Sequence, residues 1–153
     1  MAERSVLHST FTLERTYDAT PARVFGAWAA PTRKRRWFAE GEGWEIEEFT
    51  ADFKVGGYER SRFRFKGGAP IRNDTTYHDI VANERIILAY TMTIGENRIS
   101  ASLATIEFKP EGGGGTKLVF TEQGAFLDGH DKPESREGGW RELLDALGRA
   151  VTS

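Results

Sequence analysis

Three histidines, an absence of cysteine and one glutamate set in an apolar strand row are the features of this chain with most bearing on chemistry. His8, His78 and His130 fall in separate segments, with neither HxH nor HExxH spacing. Zinc needs several ligands converging at fixed geometry, so no metal site is expected. Without cysteine there is no disulfide, thiolate ligand or cysteine nucleophile, a usage that suits a reducing cytoplasm. Glycines at 56–57, 67–68 and 112–115 match neither GxGxxG nor GxxxxGK[ST]. No phosphate cradle, and no cofactor, is expected from them.

Glu122 continues the parity of Leu118 and Phe120, and Arg15 continues that of Phe11 and Leu13. An inward Arg–Glu pair is costly to bury unless well paired, and in a pocket it would anchor a ligand. The other reading puts both at the sheet rim, where the interior meets water. His78, beside Tyr77 and Asp79, would serve as a general base only if it faced a cavity; a solvent-facing strand position is preferred. Eighteen aromatic residues, 12% of the chain, include Trp37, Phe65, Tyr77, Tyr90, Phe120 and Trp140, assigned here to inner faces. Each is core packing by default, and a cavity wall if sheet and helix do not close on each other.

These side chains need elements to hold them. "STFTLERTY" alternates with period two and reads as a strand. Asp18 or Thr20 can cap a helix opening at Pro21, with Val24, Phe25 and Trp28 at helical spacing. Pro31 ends it and opens a second short helix reaching Trp37 and Phe38. From Trp44 to Gln123 come six runs of strand character punctuated by turn residues. Pro110 and "EGGGG" are read as a turn. After Pro133, the spacing of Trp140, Leu143, Leu144, Leu147 and Val151 predicts one long amphipathic helix. Arg136, Glu137, Arg141, Glu142, Asp145 and Arg149 are assigned to its polar side. Gly138 and Gly139 interrupt good helix formers; they either give clearance or a hinge beside a cavity, or mark a loose start at Gly139.

The order of strand, two short helices, six strands and a long helix predicts an α+β domain spanning 1–153. Its antiparallel sheet of six to seven strands would curve around the C-terminal helix. With 153 residues, a net charge of −2 and a mean hydropathy of −0.51, a soluble cytoplasmic protein is expected. No apolar run approaches the roughly 20 residues of a membrane span, and the N-terminus lacks a signal-peptide core. The "RKRR" run at 33–36 reads as a solvated helix face, and Arg60, Arg62 and Arg64 as the outer side of a strand. Neither makes the broad basic field that nucleic acid would require.

Arg15, "ATPARVFGAWAAP", "RRWF", the Asp52, Lys54, Gly56, Gly57 element, "TKLVF" and Gly139-Trp140 occur in an order that resembles a known superfamily. It is the START-like or SRPBCC superfamily, whose helix-grip fold is that of the birch-pollen allergen. The details are most similar to bacterial homologues of the C-terminal domain of the heat-shock-90 ATPase activator. Two departures stand out: Lys54 replaces the usual arginine, and Ala82 the usual proline of "Ile-x-Pro". Lysine cannot supply a planar bidentate fork.

The resemblance implies an apolar cavity between sheet and long helix. The leading expectation is binding of a small hydrophobic or amphipathic molecule by Arg15, Trp37, Phe65, Tyr77, Tyr90, Phe120, Glu122 and Trp140. An enzyme of cyclase or hydrolase type, acting on a polyketide-like substrate in the same cavity, is the rival, with Tyr77, His78, Asp79 or Glu122 as acid–base groups. The chain shows no nucleophile elbow and no acid–base dyad. A third reading is a module that modulates a chaperone ATPase; nothing precedes the domain here that corresponds to the co-chaperone's long N-terminal domain. A homodimer is compatible with all three.

Overall fold

Alternation carries through the first strand. In β1 (Val6–Tyr17), Phe11, Leu13 and Tyr17 are buried while Thr10, Thr12, Glu14 and Thr16 are exposed. The structure, a computed structural model, describes residues 4–152; the ends of the expected 1–153 span, residues 1–3 and 153, lie outside the described residues.

Helix α1 (Pro21–Ala29) starts where Thr20 accepts the Arg23 N–H at 3.2 Å and Pro21 opens the first turn. It buries Val24, Phe25, Ala27 and Trp28. Ala30 is extended, with ψ 116°, because the following proline disfavours helical geometry. That break separates α1 from α2 (Pro31–Phe38).

Six strands follow: β2 (Trp44–Ala51), β3 (Tyr58–Phe65), β4 (Ile71–Val81), β5 (Arg85–Ile94), β6 (Asn97–Glu111) and β7 (Gly115–Leu127). All pairings are antiparallel, in the order β1-β7-β6-β5-β4-β3-β2. The two short helices therefore carry the chain from one sheet edge to the other. Register shifts at Ile46/Glu48, Tyr77/Asp79 and Met92/Thr93 bend the sheet. Helix α3 (Pro133–Thr152) lies in the curve, burying Trp140, Leu144, Leu147 and Val151. This is the α+β helix-grip architecture expected from the sequence.

Glycine is required in two places. Gly56 sits at φ +83°, and a Cβ on Gly57 would collide with the Asp52 carbonyl oxygen. The Asp52–Gly57 turn can then hydrogen-bond to both sides of Tyr77, through Gly56 N–H (2.8 Å) and Gly57 O (3.0 Å). Lys54 reaches Asp52 at 3.3 Å across an exposed surface, where one ammonium contact suffices. Farther on, the ring of Tyr17 packs against Gly148, whose added Cβ would lie 3.0 Å from it. The Tyr17 hydroxyl donates to the Leu144 carbonyl at 2.7 Å.

Two local expectations are corrected. β6 runs through Pro110, which faces Thr116 across the ladder, and only Gly112–Gly114 forms the turn, as a 3-10 element. Gly138 and Gly139 lie within the early turns of α3, which overturns the alternative of a helix start at Gly139, and an added Cβ would meet nothing within 4 Å at either. Neither close packing nor a loose helix start explains them, and nothing in the structure requires glycine there.

Candidate functional site

A groove of about 600 Å³ opens between α3 from Ser135 to Arg149, the end of α2 with the loop after it, and residues of β2 to β6. Aliphatic and aromatic side chains make most of its wall, among them Trp37, Phe63, Met92, Ile99, Trp140 and Leu143. Trp140 is central. Its ring lies 4.2 Å from that of Phe120, and 6.0 Å from those of Trp28 and Phe38. Its helix spacing from Leu144 and Leu147 turns it inward, and the sheet's curvature leaves the space it borders.

The floor is polar. Tyr90 of β5 donates to Glu122 Oε1 at 2.7 Å, and Ser102 donates to Oε2 at 3.0 Å. From α3, Arg136 Nη1 reaches Glu122 Oε2 at 3.2 Å and the Tyr90 oxygen at 3.0 Å. Its Nη2 reaches Ser100 at 2.8 Å and Asp131 at 3.0 Å. Trp140 Nε1 adds a donor to the Tyr90 oxygen at 3.3 Å. Glu122 is fully buried, and that burial raises its pKa against the opposing pull of Arg136. Burial, with the Glu122 charge, also pushes the Tyr90 hydroxyl well above its ordinary value.

A second polar cluster lies nearby and is sealed. Lys34 of α2 donates to both oxygens of Glu59 at 2.9 Å, and the Tyr77 hydroxyl donates to Glu59 Oε1 at 2.9 Å. Lys34 and Glu59 are each 3% exposed. The Lys34 ammonium also sits 4.8 Å from the ring centre of Phe38 and 5.2 Å from that of Trp28. Between the clusters is a small space of about 20 Å³, bordered by Phe120, Asn73 and Thr75.

Of the residues picked from sequence, Trp37, Tyr90 and Trp140 border the groove, and Phe120 backs it. Glu122 does not line it but lies fully buried behind Tyr90, whose hydroxyl donates to it. Three stand elsewhere. Arg15 has the inward parity but lies where β1 passes α3, and it binds Asp145 at 2.9 Å; the buried partner of Glu122 is Arg136. Phe65, at the end of β3, is 44% exposed and packs on Trp44. Tyr77 is buried in the core against Phe53.

His78 is exposed on the outer face, as preferred from sequence, and Asp79 pairs with Arg85 at 2.6 Å. Among the described residues no cluster of metal-ligating side chains occurs, and no helix is long and apolar enough to cross a membrane.

Sequence reasoning missed Arg136 and Lys34 by residue type, assigning both to solvent. Their helical phase was available. Arg136 lies four residues before Trp140 and Lys34 three before Trp37, so each shares a face with a buried tryptophan. Glu59 likewise shares the parity of Ser61 and Phe63.

Comparison with known proteins supports the same architecture. An uncharacterised protein from Rhizobium leguminosarum superposes with a TM-score of 0.92 at 46% identity, covering 97% of each chain. The Mll3558 protein from Rhizobium loti gives 0.89 at 50% identity, covering 96% of this chain and 99% of its own. An AHSA1-like protein from Aeromonas hydrophila shares the fold, with a TM-score of 0.70 at 23% identity, over 94% and 92% of the two chains. No curated protein matches the sequence. Residues 18–152 match the family described as Activator of Hsp90 ATPase homolog 1-like protein. With nearly the whole chain matched and the fold in agreement, this protein belongs to that family.

Proposed function

We propose that this protein binds a small, largely apolar molecule in the groove between α3 and the sheet. The observation that carries the reading is an apolar groove of about 600 Å³, within the range of ligand sites, whose floor is a satisfied polar cluster. Trp37 and Trp140 would supply the wall, and Tyr90, held by Glu122 and Arg136, the orienting hydroxyl. Ligand present at 100 times its Kd stabilises a protein by about 2.7 kcal/mol. A panel of hydrophobic compounds and lipids, screened by thermal shift and native mass spectrometry, should yield at least one binder. That binder's effect should disappear in Gly139→Trp, which fills the groove from an exposed helix position. A panel without any shift or retained mass would remove the reading.

A second reading rests on Glu122 alone. A buried carboxyl with a raised pKa, hydrogen-bonded to a tyrosine that borders a groove, is an arrangement suited to proton transfer. Turnover of a polyketide-like substrate, lost in Glu122→Gln with binding retained, would favour it over binding alone.

A further inference from the structure

The charges around the groove define a ligand class. Four carboxylates border it, from Glu40, Glu42, Asp131 and Glu142, against the guanidinium groups of Arg136 and Arg149. Glu40 is paired with Arg35 at 3.0 Å, and Asp131 with Arg136 at 3.0 Å. Glu42 and Glu142 are exposed and have no ion-pair partner among the described residues.

Arg136 is the deep cation that would attract an anionic ligand, but its charge is already met twice, by Glu122 and Asp131. Its remaining donor capacity goes to Ser100 and Tyr90. A ligand carboxylate entering here would have to displace Asp131. It would also pass a rim whose charges without an ion-pair partner among the described residues are two carboxylates, Glu42 and Glu142, against one guanidinium, Arg149.

Asn73 points the same way. It borders both the groove and the small space behind it, and is 7% exposed. Its amide donates to Ser61 at 3.4 Å, while its carbonyl oxygen has no hydrogen-bond partner. A buried acceptor without a donor is costly, and a ligand N–H or O–H would satisfy it. The walls add tryptophan and phenylalanine rings, whose faces attract cations and repel anions.

We infer that the groove takes a cationic amphiphile: an apolar, ring-sized body bearing a protonated amine, with the charge compensated by the rim carboxylates Glu42 and Glu142. This rests on the groove-binding reading and adds the sign of the ligand's charge to it.

Three probes with one apolar body test it: 1-naphthylmethylamine, 1-naphthalenemethanol and 1-naphthoate, titrated calorimetrically at low salt and neutral pH. The amine should bind tightest and the carboxylate weakest. Two exposed carboxylates should favour the amine over the alcohol by about two- to five-fold each. In Glu42→Gln/Glu142→Gln the ratio of amine to alcohol affinity should fall by that combined factor, and in the unaltered protein it should shrink at high salt. Equal affinities for the three probes, or a preference for the carboxylate, would overturn the charge assignment and leave the groove standing. If none of the three binds, the groove reading fails and the charge assignment falls with it.

Discussion

The two buried ion clusters are built on one plan. In each, a helix supplies the cation, a strand the carboxylate and another strand a tyrosine whose hydroxyl donates to that carboxylate: Lys34, Glu59 and Tyr77 in one, Arg136, Glu122 and Tyr90 in the other. They differ in what lies beyond them. Lys34 and Glu59 are enclosed by rings and strands, and nothing else competes for their charges. Arg136 and Tyr90 border the groove, and Arg136 has Asp131, 18% exposed, as a second carboxylate. The difference teaches that similar chemistry can close a core in one place and border an open groove in another. Access and spare partners decide which.

Removing a carboxylate should separate the two most clearly. Glu59→Gln leaves Lys34 buried without its counter-charge and should cost about 3–5 kcal/mol by chemical denaturation. Replacing both as Lys34→Met/Glu59→Leu should recover most of that loss. If the double variant is as unstable as the single one, the cluster's tight geometry rather than its charge balance is at stake.

Glu122→Gln should cost less, about 1–3 kcal/mol, because Asp131 still compensates Arg136. A loss equal to that of Glu59→Gln would erase the proposed contrast. In the same variant, affinity for any groove ligand should change, whereas Glu59→Gln should leave it near the wild-type value once the protein is folded.

The pH dependence of the Glu122 effect has a definite sign. Folding raises the Glu122 pKa, so the native state favours the protonated carboxyl. That stability is fully present below the unfolded value, about 4.3, and is lost as pH rises through the folded one. Wild type should therefore lose stability relative to Glu122→Gln as pH is raised through this window. Melting temperatures of both proteins across it check the point; a gap that widens with pH would contradict the burial argument.

The smallest effects belong to α3. Gly138→Ala should stabilise by about 1 kcal/mol, since an added Cβ meets nothing and alanine is the better helix former. Gly139→Ala should do the same. Destabilisation by either would mean that the helix start relies on glycine in a way its surroundings do not reveal.

Much of the fold could be read from period and punctuation. Prolines at 21, 31 and 133 mark the helix starts, and alternation marks the strands. Strand ends were harder: β7 continues through Gly124 to Leu127 because its partners on β1 and β6 extend that far, which no local signal records. At the site, Trp37, Tyr90 and Trp140 were recognisable because large aromatic residues on inward phases must lie in or beside the core. Arg15 and Arg136 show why the rest was not. Both have inward phase, yet one meets Asp145 at an exposed contact and the other a buried glutamate. That choice is made by which elements cross there, a tertiary fact. Phe65 fails for a related reason: parity persists to the end of a strand, but cover does not.

The contact between Tyr17 and Gly148 bears on how α3 is held over the groove. An aromatic ring pressed on a glycine, with its hydroxyl held by the Leu144 carbonyl, fixes the C-terminal half of α3 against sliding and rotation. The groove runs along α3 from Ser135 to Arg149, and an added Cβ at Gly138 or Gly139 would meet nothing within 4 Å. A change of tilt about the Tyr17 end would carry Arg136 with it, since that residue sits in the first turn of the helix. Such a tilt would be opposed by the Arg136 bonds to Glu122 and Tyr90, which tie the first turn of α3 to the sheet.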